Sequence, residues 1–185
     1  MRMTEARMET TFFLKSPEDT MLLGRMLAQA MCAGHVDRLY LRAPLGGGKT
    51  TLARGFAAAL PGGEGAEVAS PSFTLCNEYP TLPCLVHADL YRLPEHSRLP
   101  EEVEDALEGG GMLLLEWPER LQEDSLDRER LELSLEPCRT SGGKYLDKEN
   151  KTCETVRAAT LRAYGDNAEA LAGRLLPELC RRFSG

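Results

Sequence analysis

A short glycine-rich segment between a strand-like and a helix-like stretch constrains this chain more than any other feature. The run Leu45-Gly46-Gly47-Gly48-Lys49-Thr50-Thr51 follows Arg38–Arg42, in which apolar and charged side chains alternate as they do in a strand. Beyond the run, apolar side chains recur at helical spacing as far as Leu60, where Pro61-Gly62-Gly63 ends the pattern. Such a strand–loop–helix unit predicts a phosphate cradle, because glycines let successive backbone N–H groups point inward.

The segment carries the groups that a magnesium nucleotide needs. Lys49 supplies a positive charge near the β- and γ-phosphates, and the Thr50 hydroxyl is suited to ligate Mg²⁺. The strict pattern G-x-x-x-x-G-K-[ST] asks for glycine where this chain has Ala43, and the following Pro44 has no N–H to donate. The phosphate-facing amides lie mainly toward Lys49, so we expect the loop to function. The alternative is a glycine-rich turn that happens to precede Lys-Thr.

Length and composition favour one globular domain and argue against several other classes. The chain has 185 residues, of which 42% are hydrophobic and 28% are charged. A net charge of −7 argues against a protein that binds nucleic acid by itself. The sequence has no run of the ~20 apolar residues that a membrane helix needs, and its start has no signal-like core, so we expect a cytosolic protein. The six cysteines form no C-x-x-C pair, which favours ordinary thiols over a metal site.

Alternating strand-like and helix-like segments predict an α/β, single-domain P-loop NTPase fold with a mainly parallel central sheet flanked by helices. We assign residues 1–185 to this one ATPase domain and interpret the polar residues 139–152 as an exposed insertion. Helices are predicted from the N-cap Ser16 to a stop at Gly34, within the acidic stretch 94–111, and after a capping box at 166–169. Further strands are predicted at 10–14, before Tyr79, and at 84–88, 112–115, 130–136 and 155–164.

Two acidic residues follow predicted parallel strands and are the candidate partners of the loop. Asp89 ends the strand Cys84-Leu85-Val86-His87-Ala88, and Glu116 ends Met112-Leu113-Leu114-Leu115. Ligands in such sheets lie beyond the carboxyl ends of the strands, so one carboxylate is expected to ligate the metal and the other to orient water. Ser70 and Ser72 lie either in a nucleotide-sensing segment or in a strand-capping turn. His87 is interpreted as a packed strand histidine, and Trp117 as a packing anchor.

Four motifs together resemble the TsaE family, the bacterial ATPases of tRNA threonylcarbamoyladenosine synthesis. They are L-G-G-G-K-T-T, S-P-S-F-T-L-x-N-E-Y, H-A-D-L-Y-R-L and L-L-E-W-P-E, in that order. The resemblance implies an ATP- and Mg²⁺-dependent enzyme that acts with TsaD and TsaB, and whose ATP hydrolysis resets that complex between turnovers. It also implies that tRNA is met only through the complex, and that no membrane is involved.

The resemblance assigns roles by position. Asp89, Glu116 and Lys49 would be catalytic, while Thr50 and Glu116 would ligate Mg²⁺ and Asp89 would serve catalysis or the metal's outer shell. Ser72 would lie in a switch-like segment, Trp117 beside the site, Thr20 near the nucleotide base, and Arg157 in the late strand with a less defined role. The phosphate-binding residues would be Pro44, Leu45, Gly46, Gly47, Gly48, Lys49, Thr50 and Thr51.

The chain departs from the family pattern in four places. Ala43-Pro44 replaces the usual G-D, Ser72 replaces threonine, Ala88 replaces a larger apolar residue, and the 139–152 insertion is long. Two other functions remain open on the residues alone. A P-loop small-molecule or nucleotide kinase would need a lid with arginines, and between Pro94 and Gly111 the chain has only Arg98. A nucleotide-dependent binding module would hydrolyse ATP negligibly.

Overall fold

The structure is a computed structural model that describes residues 6, 8–138, 145–146, 152–153 and 156–183. The helices are α1 (Pro17–Gly34), α2 (Lys49–Ala59), α3 (Glu101–Leu107) and α4 (Asp166–Phe183), with short 3-10 turns at Pro118–Arg120 and Glu123–Ser125. The strands are β1 (Met8–Leu14), β2 (Arg38–Arg42), β3 (Cys76–Tyr79), β4 (Cys84–Asp89), β5 (Gly111–Glu116), β6 (Arg130–Pro137), β7 (Tyr145–Leu146), β8 (Thr152–Cys153) and β9 (Arg157–Tyr164).

Seven strands form one mixed sheet in the order β1-β9-β6-β2-β5-β4-β3. The central strands β6, β2, β5 and β4 pair in parallel, whereas β3 and β9 are antiparallel to their neighbours. The prediction of an α/β fold with a mainly parallel central sheet is therefore confirmed, with antiparallel strands added at both edges. Asp89 pairs with Glu116 across β4 and β5, and Leu41 pairs with Glu116 across β2 and β5. The carboxyl ends of these three strands consequently meet at one edge.

Strand alternation sends side chains to two differently covered faces of the sheet. On one face α1, α2 and α4 bury the larger core, where Phe12 of β1 stacks on Phe183 of α4 at 5.6 Å between ring centroids. On the other face α3 and the segment after β5 cover a smaller core around Tyr40, Val86 and Leu113. The loop helix α2 therefore lies on the larger-core face.

Two glycines let α1 and α2 cross in backbone contact. A Cβ atom on Gly24 would lie 2.2 Å from the Leu52 carbonyl oxygen, and one on Gly55 would lie 2.0 Å from the Met21 carbonyl oxygen. No side chain fits at either position. Because α2 begins at Lys49, this crossing also fixes where the glycine-rich loop stands relative to α1.

The predicted start of α1 agrees with the structure, whereas the helix predicted within 94–111 is shorter than expected. Ser16 is the N-cap of α1, and its hydroxyl accepts the Asp19 N–H at 3.1 Å. Within 94–111 only Glu101–Leu107 is helical. A helix cannot readily run through the residue before Pro100, and Ser97 instead exchanges backbone hydrogen bonds with Arg120 and Gln122.

α1 ends at Gly34 as predicted, and the start of α4 has an acceptor from the segment just before β6. Gly34 is the last residue of α1, and the left-handed cap is His35, with φ at 55°. A Cβ on Gly34 would lie 2.8 Å from a methyl group of Leu171, so a larger residue here would displace the Leu171 side chain of α4. At the start of α4, the Glu129 carboxylate accepts the N–H groups of Asn167 and Ala168. The predicted insertion at 139–152 lies outside the described residues, except for the backbone of β7 and the first residue of β8.

Candidate functional site

A cleft of about 260 Å³ opens at the carboxyl ends of β2, β4 and β5. The glycine-rich loop forms one wall, and the ends of β4 and β5 form the opposite wall together with the serine segment before β3. Most of the predicted site residues line it: Leu45, Gly46, Gly47, Gly48, Lys49, Thr50, Thr51, Ser70, Ser72, Asp89, Glu116 and Trp117. Residues that are separated by up to 72 positions in the chain therefore surround one cavity.

The loop conformation explains its glycines and leaves a set of amide donors unpaired. Gly46 and Gly48 have φ values of 73° and 102°, which side-chain-bearing residues rarely adopt. The Gly47 N–H donates to the Pro44 carbonyl at 3.0 Å. Within the described residues, the amides of 45, 46 and 48–51 donate to no protein acceptor. Unpaired N–H groups at a helix start favour an anion, because the amide dipoles and the helix dipole both attract negative charge.

Lys49 is held inside the loop with its ammonium group almost removed from solvent. The side chain is only 7% exposed, and Nζ donates to the carbonyls of Ala43 at 3.0 Å and Pro44 at 3.2 Å. The same Nζ lies 3.8 Å from Glu116 Oε2 and 4.6 Å from the centre of the Trp117 ring. A buried cation needs such compensation. The carbonyl bonds come from the backbone, so Ala43 and Pro44 provide them as well as glycine and aspartate would.

Glu116 is buried between two basic side chains. It is 1% exposed, and its Oε1 lies 2.8 Å from His87 Nε2, while Oε2 faces Lys49. His87 is fully buried in β4, as expected of a packed strand histidine. Its bond to Glu116 was not expected. The spacing of His87 and Asp89 places these two side chains on one face of the sheet, but the contact with Glu116 follows only from the pairing of β4 with β5.

Asp89 is tied to the serine segment. Its Oδ2 accepts the hydroxyl of Ser72 at 2.6 Å and that of Ser70 at 3.4 Å, and its Oδ1 accepts the Tyr91 N–H at 2.9 Å. The two serine hydroxyls are themselves 2.7 Å apart. The serines therefore do more than cap a strand, since they hydrogen-bond the second acidic residue directly.

Trp117 follows Glu116 directly and contacts both β2 and the loop lysine. It has a left-handed backbone with φ at 61°, unusual for a bulky residue. Its N–H donates to the Leu41 carbonyl at 3.2 Å, which links the segment after β5 to β2. Its ring packs on Lys49 and lies 5.0 Å from the Tyr91 ring. Trp117 is thus a packing residue, as predicted, but the group it packs on is the loop lysine.

Three residues assigned to the site by resemblance lie outside the cleft lining. Pro44 is exposed and takes part through its carbonyl. Thr20 is fully buried on α1, and its hydroxyl donates to the Ser16 carbonyl at 3.2 Å. Thr20 and Arg157 both lie behind the loop, where a Cβ on Gly48 would be 3.5 Å from the Thr20 methyl and 3.3 Å from Arg157 Nε. They pack against the loop from α1 and β9, respectively.

The donor set of the cleft suits a magnesium nucleotide better than a metal held by protein alone. The described residues contain no group of three or more His, Cys, Asp and Glu side chains close enough to hold a metal ion. Mg²⁺ in nucleotide sites takes one or two protein oxygens and completes its shell with phosphates and water. Thr50, Glu116 and Asp89 line the same cleft as the unpaired amides and meet that requirement.

Comparisons with known proteins agree with this geometry. The sequence profile described as "Threonylcarbamoyl adenosine biosynthesis protein TsaE" matches residues 14–144. The chain belongs to the TsaE family. It is 37% identical over 141 residues to the tRNA threonylcarbamoyladenosine biosynthesis protein TsaE of Mycobacterium bovis, covering 68% of this chain and 78% of the relative. It is 41% identical over 108 residues to the TsaE protein of Aquifex aeolicus, and the match covers 58% of this chain and 75% of the relative.

A solved structure supports the fold assignment along nearly the whole chain. The crystal structure of Bacillus subtilis YdiB superposes with a TM-score of 0.64 at 25% identity, covering 92% of this chain and 96% of that one. The range matched by the TsaE profile contains the loop, Ser72, Asp89 and Glu116, whereas Arg157 lies beyond it. Among the described residues, no helix is both long and apolar enough to cross a membrane.

Proposed function

We propose that this chain is a magnesium-dependent ATPase that acts with TsaD- and TsaB-like proteins in threonylcarbamoyladenosine modification of tRNA. Membership of the TsaE family gives the role in this modification. The observation that carries the ATPase assignment is the pairing of Lys49 with buried Glu116 at 3.8 Å, beside a loop with unpaired amides. Hydrolysis serves to reset the partner complex between turnovers, and tRNA is reached through that complex.

The residues divide the work of binding. The unpaired amides of the loop and the start of α2 accept the phosphate chain. Lys49 exchanges its two carbonyl acceptors for phosphate oxygens and remains oriented by Trp117. Thr50 and Glu116 would hold Mg²⁺, which would withdraw charge from the phosphate oxygens when bound. Because Glu116 is buried, bulk water does not compete with the metal for its carboxylate.

Asp89 orients the attacking water and accepts its proton. In the present arrangement the Asp89 carboxylate already accepts the hydroxyls of Ser70 and Ser72 and the Tyr91 N–H. These bonds compete with water for the same oxygens, so a shift of the serine segment raises the availability of Asp89. Because these bonds occupy Asp89, we expect the isolated chain to hydrolyse ATP slowly. Hydrolysis should be faster when a partner moves the serine segment.

The test is to measure ATP hydrolysis by the chain alone and with TsaB and TsaD from the same organism. Lys49→Ala is expected to abolish nucleotide binding. Glu116→Ala is expected to retain binding and to lose Mg²⁺-dependent hydrolysis. Arg25→Ala, which removes an exposed positive charge from α1, is the matched control and should change neither.

Two results would contradict the proposal. If Glu116→Ala hydrolyses ATP at the unmutated rate, its role toward the metal is wrong. If the unmutated chain binds ATP but does not turn it over even with both partners, the chain is a nucleotide-dependent binding module. No observation favours a kinase, since α3 in the 94–111 segment is short and begins with three acidic residues, Glu101, Glu102 and Glu104.

A further inference from the structure

His87 is a buried polar side chain that the proposed chemistry does not use. It is completely buried, does not line the cleft, and makes one polar contact among the described residues, from Nε2 to Glu116 Oε1 at 2.8 Å. Its Nδ1 has no hydrogen-bond partner in the part of the chain that the structure describes. An apolar residue would fill the same position on β4 without leaving a ring nitrogen unpaired, so packing alone does not explain a histidine there.

The sheet register brings His87 to Glu116. His87 pairs with Leu114 of β5, and Glu116 is two residues farther along that strand. Side chains two apart share a face, so His87 and Glu116 are diagonal neighbours on the face that carries α2. The contact is therefore built into the pairing of β4 with β5 and does not depend on a loop.

The direction of the hydrogen bond follows from the groups. A carboxylate accepts but does not donate, so Nε2 carries the proton and donates it to Oε1. The other ring nitrogen, Nδ1, makes no hydrogen bond within the described residues, so this single bond fixes the ring's polar contact. This bond uses Oε1 and leaves Oε2 directed toward Lys49 and the cleft.

We propose that His87 is a positioning residue that holds the Glu116 carboxylate with a single oxygen, Oε2, directed at the metal side of the cleft. The inference rests on the proposed function, because it concerns the same Mg²⁺ site. Without the imidazole, the carboxylate can rotate about its terminal bond or turn fully toward Lys49, whose Nζ is 3.8 Å away. Hydrogen-bond partners behind a metal ligand typically contribute about 10–100-fold to metal affinity.

The test compares three variants that differ in where they place a donor. His87→Gln carries an amide nitrogen at the reach of Nε2, His87→Asn carries one that stops at the reach of Nδ1, and His87→Leu carries none. The readout is the affinity for mant-ADP, a fluorescent ADP analogue, measured in EDTA and across a Mg²⁺ titration. Thermal denaturation of each variant reports whether it is folded.

We expect His87→Leu and His87→Asn to need about 10–100-fold more Mg²⁺ for the half-maximal change in mant-ADP affinity. His87→Gln should stay near the unmutated value. All three should bind mant-ADP in EDTA as the unmutated chain does, because His87 lies outside the cleft lining. A purely structural role of His87 would not give His87→Gln and His87→Asn different Mg²⁺ requirements. The comparison of these two variants therefore tests the inference even if His87→Leu does not fold.

Three outcomes overturn the inference. One is an unmutated Mg²⁺ response in His87→Leu or His87→Asn, and another is a folded His87→Gln that is as defective as His87→Asn. In both cases the unmutated chain still responds to Mg²⁺, so the proposed function stands. If the unmutated chain itself does not bind mant-ADP, the proposed function fails, and the inference fails with it.

Discussion

Replacing Gly55 by alanine is predicted to push apart the two helices that hold the phosphate loop. The added Cβ would lie 2.0 Å from the Met21 carbonyl oxygen, far below the 3.4 Å at which ordinary contacts begin. The clash is with backbone, so no rotamer change relieves it and the helices must move. Overpacking of this kind costs about 1–3 kcal/mol, against a gain of about 0.5–1 kcal/mol from replacing a helical glycine.

The expected net loss is about 1–2 kcal/mol, which lowers the midpoint of thermal unfolding by about 2–8 °C for a domain of this size. The matched control is Gly173→Ala on α4. Its Cβ would approach only a methionine methyl, Cε of Met8, at 4.0 Å. That substitution should raise stability by about 0.5–1 kcal/mol, since only helix propensity changes.

The assay is urea and thermal denaturation of both variants, followed by mant-ADP titration. Gly55→Ala should also weaken nucleotide binding, because α2 begins at the loop lysine. If Gly55→Ala is as stable as Gly173→Ala, the helices do not cross in backbone contact and the reasoning is wrong. If Gly55→Ala loses stability but binds mant-ADP with unchanged affinity, the helix crossing does not position the loop.

Three further predictions concern stability away from the cleft. His35 has a left-handed backbone at the end of α1, so His35→Gly should raise the thermal midpoint through a gain of about 0.5–1 kcal/mol, whereas His35→Ala should not. Burial, reinforced by the Asp127 carboxylate, raises the pKa of Tyr40. The contribution of Tyr40 to folding stability should therefore be fully present below its unfolded-state pKa of about 10 and decrease as the pH rises above that value. In urea titrations on both sides of that pH, Tyr40→Phe should lose less stability than the unmutated chain. Glu129→Ala removes the acceptor for two amides of the first turn of α4 and should cost about 0.5–2 kcal/mol in a urea titration, unlike the exposed Glu178→Ala.

The strands and the loop could be predicted because their signals are local. The apolar runs before Asp89 and Glu116 and the alternation in 130–136 gave strands that match β4, β5 and β6 to within a residue or so. The loop pattern predicted the glycines and a helix after the run, and α2 begins two residues before Thr51, at Lys49. The rule that ligands lie beyond the carboxyl ends of parallel strands was then enough to bring both acidic residues to the loop.

What could not be predicted depends on contacts between distant segments. Gly34 ends α1 as predicted, but its close approach to the Leu171 side chain involves a helix far along the chain. The bond from His87 to Glu116 depends on the register between β4 and β5, which the sequence does not state. The same holds for Glu129, whose carboxylate caps a helix that begins 37 residues later.

The departure at Ala43-Pro44 can now be interpreted from the bonds that this dipeptide makes. Its two carbonyls accept from Lys49, and the Pro44 carbonyl also accepts the Gly47 N–H. All three bonds use backbone oxygens, which proline retains, and the N–H that proline lacks is not among them. Ala43 is buried, and a Cβ at Gly47 would lie 2.8 Å from the Ala43 methyl and 2.9 Å from the Pro44 carbonyl oxygen, so the turn requires glycine at 47. The substitution therefore preserves the loop and removes only an acidic side chain from its exposed edge, so any consequence for this chain should appear in partner coupling and not in nucleotide binding.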